Sequence, residues 1–92
     1  MERLTRRGAD GGVTLAEGCT VSGALERLAG YENVHALLAE EYQQAEARLA
    51  ALRGQGRARS AGFQQALAEK LRLAALLERL EKLPGEPPAP PL

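Results

Sequence analysis

Two stretches decide the fold: VHALLAEEYQQAEARLAALR at residues 34–53 and AGFQQALAEKLRLAALLERLEKL at residues 61–83, with the loop GQGRARS between them. Both are rich in Leu, Ala, Glu, Gln and Arg, which favour helix. Because the loop is short, the two helices are predicted to lie antiparallel, as a helical hairpin. Two helices cannot enclose a core by themselves, so their apolar faces are expected to find further partners.

Apolar spacing predicts which faces of these helices pack together. The first stretch has the 4-3-4-3 spacing of a heptad at Leu38, Tyr42, Ala45, Leu49 and Leu52. In the second stretch the residues predicted to face it are Leu67, Leu71, Ala74 and Leu77. Four further leucines widen the apolar face beyond the ~100° that one partner covers, and we expect them to form an oligomer interface: Leu73, Leu76, Leu80 and Leu83.

Capping residues predict three helices, at 22–30, 33–53 and 60–83. Ser22, Asn33 and Ser60 are good N-caps, because their side-chain oxygens accept a hydrogen bond from a free amide of the first turn. Gly30 is expected to end or kink the first, short helix, and the second helix either begins at Asn33 or runs on from the first. Arg53 and Gly54 suit the end of the second, and Pro84 stops the third.

The first twenty residues predict a small β-hairpin. Leu4-Thr5-Arg6 and Val13-Thr14-Leu15 flank a glycine-rich segment that contains the turn dipeptide Asp10-Gly11. The predicted organisation is therefore an N-terminal arm at 1–20, a helical domain at 21–83 and a proline-rich tail at 84–92. We expect that tail to be disordered.

Composition narrows the functional classes. Cys19 and His35 are the only cysteine and histidine, so they cannot form a disulfide or a four-ligand zinc site. No arrangement of catalytic residues is recognisable, and we expect neither an enzyme nor a cofactor. Twelve basic and twelve acidic residues balance, which argues against a dedicated nucleic-acid binder. No stretch is apolar enough to span a membrane, and we expect a cytoplasmic protein.

The best candidate for electrostatic binding is the loop between the long helices. Arg53, Arg57 and Arg59 lie there with two glycines, and no acidic residue occurs between Glu46 and Glu69. Forked guanidinium donors at a flexible backbone can hold a phosphate or a carboxylate. A solvated turn explains the same residues. Tyr31 is the second candidate, because aromatic residues often anchor partner interfaces.

The first third of the chain resembles small uncharacterised proteins of phages and prophages of Gram-positive bacteria. The resemblance rests on MERLT at residues 1–5, Asp10-Gly11, Cys19, ALERLA at residues 24–29 and Tyr31-Glu32. Those proteins often continue with a turn of the type Asp-Thr-Gly-Leu-Thr-Pro, whereas Asn33-Val34-His35 stands here. The resemblance implies a phage accessory protein of no known activity.

These observations predict a non-enzymatic, homo-oligomeric phage accessory protein that binds a host protein stoichiometrically, in the cytoplasm of the bacterial host. By analogy with other phage accessory proteins, the expected role is inhibition of an antiphage defence component. Three alternatives stay open. The oligomer could sequester an anionic small ligand such as a signalling nucleotide, act as a nucleic-acid-associated accessory factor, or assist virion assembly.

Overall fold

The computed structural model describes residues 1–82. Its elements are β1 (Thr5–Arg7), β2 (Val13–Leu15), α1 (Val21–Gly54) and α2 (Ala61–Glu81). This confirms the predicted fold class, because a two-stranded antiparallel sheet precedes two helices that pack against each other. The chain divides into an N-terminal unit, Met1–Val34, and a hairpin unit that begins at His35. The predicted tail at 84–92 lies outside the described residues, as does Leu83.

The β-hairpin forms as its turn residues predict. Thr5 pairs with Leu15 and Arg7 with Val13. Gly11 has a φ of 85°, a left-handed conformation that glycine adopts at little steric cost. Asp10 Oδ1 accepts a hydrogen bond from the Gly12 amide at 2.9 Å, which closes the turn.

A single helix, α1, covers both predicted stretches, 22–30 and 33–53, so the separate short helix is wrong and the alternative in which the second helix runs on from the first is correct. The N-cap is Thr20, whose Oγ1 accepts a hydrogen bond from the Gly23 amide at 3.0 Å, whereas Ser22 and Asn33 lie inside the helix. Gly30 does not end the helix, since one interior glycine costs only about 1 kcal/mol relative to alanine. The heptad spacing explains the continuity, because it extends backward from Leu38 through His35, Tyr31, Leu28 and Ala24.

The α1 helix ends in a Schellman motif centred on Gly56 and not, as predicted, on Gly54. The Arg57 amide donates to the Leu52 carbonyl at 2.8 Å, and the Gly56 amide donates to the Arg53 carbonyl at 3.1 Å. Gly56 has the left-handed φ of 71° that this motif requires. The predicted cap of α2 is correct, since Ser60 Oγ accepts from the Phe63 amide at 3.1 Å.

The hairpin unit is held by an apolar seam between α1 and α2. Leu49, Phe63 and Ala66 form a buried cluster, against which Leu52 and Leu67 pack. Farther along, Lys70 Nζ lies 3.5 Å from Glu46 Oε2, and His35 Nε2 lies 3.0 Å from Glu81 Oε1. These successive pairs run in opposite directions along the two helices, so the hairpin is antiparallel as predicted. The α1 side of the seam follows the predicted heptad.

The α2 side of the seam differs from the prediction at two leucines. Leu71, predicted to face α1, is 61% exposed, and Leu73, predicted at an oligomer interface, is completely buried within the chain. The predicted face is shifted because it leaves out Lys70, whose charge argues against a position in the seam. Its ammonium lies 5.8 Å from the centre of the Tyr42 ring while its stem covers the seam, so the packed face follows Phe63, Ala66, Lys70, Leu73 and Leu77.

Candidate functional site

The N-terminal unit contains an apolar cleft between the residues that lead into β1 and the first turns of α1. Its volume is about 550 Å³, in the range of ligand and peptide sites. The apolar walls come from Met1, Leu4, Ala24, Leu25 and Leu28, and Tyr31 also lines the cleft. This is where the structure places Tyr31, a predicted partner-binding residue, and it lies apart in sequence from the predicted arginine loop.

Hydrogen bonds fix the two walls of the cleft. Arg27 Nη1 donates to the Glu2 carbonyl at 3.1 Å, and the Tyr31 hydroxyl donates to Met1 Sδ at 3.0 Å. The Ala16 amide donates to the Leu4 carbonyl at 2.8 Å, which ties the same segment to the β-hairpin. The segment before β1 is therefore held along α1 by contacts at several positions.

The polar atoms at the cleft give it a positive bias. Three charged residues line it: Arg3, Arg27 and Glu2. Arg27 bonds the Glu2 backbone carbonyl and not the carboxylate, and neither arginine forms an ion pair within residues 1–82. Arg3 Nη2 donates to Thr5 Oγ1 at 3.4 Å, so each guanidinium makes one hydrogen bond to a neutral oxygen, and neither positive charge is neutralised by a described acid.

A ridge of exposed apolar side chains on α1 includes two walls of the cleft, Leu25 and Leu28, and continues beyond them to Val21. Val21, Leu25 and Leu28 follow one another at steps of four and three residues, and each is more than half exposed. That spacing places them on one side of the helix. Clustered apolar side chains of this size on a surface mark an interaction site more often than scattered single ones do.

The predicted arginine loop lies in the hairpin unit. Arg53 stacks over the Phe63 ring, 5.5 Å from its centre, so it partly serves packing. Arg57 and Arg59 are exposed, and among the described residues neither pairs with an acid. Arg48 adds a fourth cation, because its Nη2 lies 3.6 Å from the position that a β-carbon would take on Gly62.

The predicted interface leucines differ in how exposed they are in the structure. Leu73 is buried in the seam and cannot contact a second molecule, whereas Leu76 and Leu80 are both 36% exposed. Leu83 lies outside the described residues. The remaining candidate surface on α2 is therefore smaller than the four-leucine face that the sequence predicts.

The titratable groups of the described chain do not form a reactive cluster. Cys19, in the N-terminal unit, is half-buried. His35 is paired with Glu81, and both of these residues belong to the hairpin unit. No group of three His, Cys, Asp or Glu side chains within residues 1–82 could hold a metal ion. Lys82 lowers the pKa of Glu78, first by a hydrogen bond from its ammonium and second by its positive charge, but this pair is fully exposed.

Sequence reasoning missed the cleft and most of its lining. The cleft is built by contacts between residues far apart in the sequence, such as the Arg27–Glu2 hydrogen bond over 25 residues. Helical periodicity cannot reveal pairings of this kind. One signal was present, since Ala24, Leu28 and Tyr31 continue the α1 heptad toward its N-terminus.

Comparisons with protein-family models, with curated proteins and with solved structures find no match. Neither helix in the described part of the chain has the length and apolar character needed to cross a lipid bilayer.

Proposed function

We propose that this protein acts without catalysis, by stoichiometric binding of another protein through the cleft of its N-terminal unit. The observation that carries the proposal is the apolar cleft beside the exposed ridge of Val21, Leu25 and Leu28. Exposed apolar side chains that line an open cleft suit the central anchors of a protein interface better than they suit solvent.

The resemblance of the N-terminal third to phage and prophage accessory proteins suggests who the partner is. We propose a host protein, and by analogy a component of an antiphage defence system, bound in the cytoplasm of the bacterial host. The resemblance covers the residues that build the cleft, which is why the partner is assigned to this unit.

Affinity capture from bacterial lysate tests the proposal when it is run on three proteins: the wild type, Leu28→Asp and Leu71→Asp. Both leucines are more than half exposed, so neither change should unfold the chain, and only Leu28 lines the cleft. We expect Leu28→Asp to lose a host protein that the wild type and Leu71→Asp retain, at a fixed molar ratio on reconstitution. Identical capture by all three proteins would contradict the proposal.

A second candidate function rests on the arginine loop. Arg57 and Arg59 are exposed without an acidic partner among the described residues, which favours an anionic small ligand such as a signalling nucleotide. If the loop binds ATP, used as a probe, the Arg57→Ala/Arg59→Ala double variant should weaken binding by roughly 2–4 kcal/mol and reduce its salt dependence. Calorimetry measures ATP binding by the wild type, the double variant and the control Arg79→Ala. Equal affinities of the three proteins would show that the loop is a solvated turn and not a binding site.

A further inference from the structure

We infer that the partner segment seated in the N-terminal cleft is an amphipathic helix with an acidic polar face. The inference rests on the proposed function and specifies its partner. Both the shape of the cleft surface and its charge favour such a helix.

The shape of the surface favours a helix. The ridge of Val21, Leu25 and Leu28 has the four-three spacing that interdigitates with the side-chain grooves of a second helix. From Val21 to Tyr31 the surface extends about 15 Å along α1, or nearly three turns of a partner helix. An added strand is the weaker fit, because β1 and β2 have only three residues each and offer few backbone hydrogen bonds.

The charge of the cleft favours an acidic partner over a basic one. The charged residues that line it are two arginines, Arg3 and Arg27, and one acid, Glu2, and neither arginine has an ion-pair partner among residues 1–82. A glutamate on the incoming helix can form a forked, charge-assisted pair with either one. A lysine at the same place would meet two like charges, which opposes binding.

The direct test uses stapled helical peptides of about four turns, so that helix content is equal across the set. One peptide carries leucines on one face and glutamates on the other, the second replaces the glutamates by lysines, and the third keeps the glutamates but replaces the leucines by serines. Fluorescence polarisation against the full chain should show at least tenfold tighter binding of the leucine–glutamate peptide than of either other peptide. Equal binding of the lysine peptide would overturn the inference.

Variants of the protein locate the peptide. Leu28→Asp and Leu25→Asp should each weaken the leucine–glutamate peptide at least tenfold, whereas Leu71→Asp should not. Arg3→Gln/Arg27→Gln should weaken it several-fold and flatten its salt dependence, in contrast to the matched pair Arg6→Gln/Arg79→Gln, whose arginines are exposed and lie outside the cleft lining. Circular dichroism checks that each variant keeps the helical content of the wild type. A peptide affinity unchanged by both cleft aspartates would also overturn the inference.

Two further outcomes separate this inference from the proposed function. If none of the peptides binds but Leu28→Asp still abolishes capture of the host protein, the acidic-helix inference is wrong and the proposed function stands. If Leu28→Asp alone converts the unliganded protein from an oligomer to a monomer by light scattering, the occupant is a second copy of the chain, and the inference is again wrong.

Discussion

At the scale of single residues, the hairpin depends on a few fully enclosed side chains. Only five apolar side chains are buried in the described part of the chain, and Leu73 is the only large one with no exposed surface. Lys70 supports the same seam with its aliphatic stem while its ammonium contacts the Tyr42 ring and the Glu46 carboxylate. With so few buried groups, each should contribute a large fraction of the stability.

Leu73→Ala should lower the free energy of unfolding by about 3 kcal/mol, because it removes a buried side chain and leaves a cavity. Leu71→Ala is the matched control, two residues away on the same helix but 61% exposed. Urea denaturation should show a change below about 0.5 kcal/mol for that control. Equal effects of the two substitutions would place both leucines in the same environment, against the register of the structure.

The Glu78–Lys82 pair gives a pH-dependent prediction. The Lys82 ammonium lies 2.8 Å from Glu78 Oε1 and lowers the pKa of Glu78 below its ordinary value. The stabilisation is therefore present above the pKa of the unfolded chain and is lost as the pH falls through the lower folded pKa. Lys82→Gln should raise the NMR titration midpoint of the Glu78 carboxyl. An unchanged midpoint would mean that the pair does not form in solution.

At the scale of elements, the sequence predicts most boundaries because capping and turn chemistry are local. Ser60 and Asp10-Gly11 act where the pattern places them. At Gly30 the local signals allow either a separate or a continuous helix, and the structure has the continuous one because the heptad runs through this position. The same competition displaced the C-terminal cap from Gly54 to Gly56, since both glycines can adopt the left-handed conformation and only packing selects one.

Gly30→Ala should stabilise the protein by about 0.5–1 kcal/mol. Gly30 lies inside α1, and a β-carbon there would meet nothing within 4 Å, so alanine restricts the unfolded chain without a clash. Gly11→Ala is the opposite control, because Gly11 has a φ of 85°, and it should destabilise by about 1 kcal/mol. Thermal and urea unfolding measure both. Destabilisation by Gly30→Ala would show that the helix is interrupted in solution.

At the scale of the whole molecule, the candidate sites differ in how far the sequence could predict them. Arg57 and Arg59 are two residues apart in the chain, so the local sequence is enough to find their loop. The cleft joins Met1 and Leu4 to α1 through tertiary contacts, and no spacing rule reports those. The predicted four-leucine interface includes Leu73, which is buried against α1, as well as Leu76, which is 36% exposed. Apolar spacing alone cannot distinguish a side chain that faces the other helix of the hairpin from its neighbour on the surface.

The small size of the chain and its exposed leucines favour self-association. A chain of 92 residues buries about 60–65% of the surface that it exposes when unfolded, and such small domains often gain stability by association. Because Leu76 and Leu80 remain 36% exposed beside the buried Leu73, we expect them to contact a second copy. Light scattering at micromolar concentration should give a multiple of the 9.8 kDa chain mass.

The Leu76→Gln/Leu80→Gln double variant should shift that mass to the monomer and lower the concentration dependence of its melting temperature, since a folded state that dimerises is stabilised by mass action. Leu71→Gln, a change of the same chemistry on a different side of α2, should keep the oligomer. A wild-type protein that scatters as a monomer over the whole range would contradict the prediction directly. An oligomer that survives the double variant would instead assign the contact to another surface, and Leu28→Asp would then show whether that surface is the cleft.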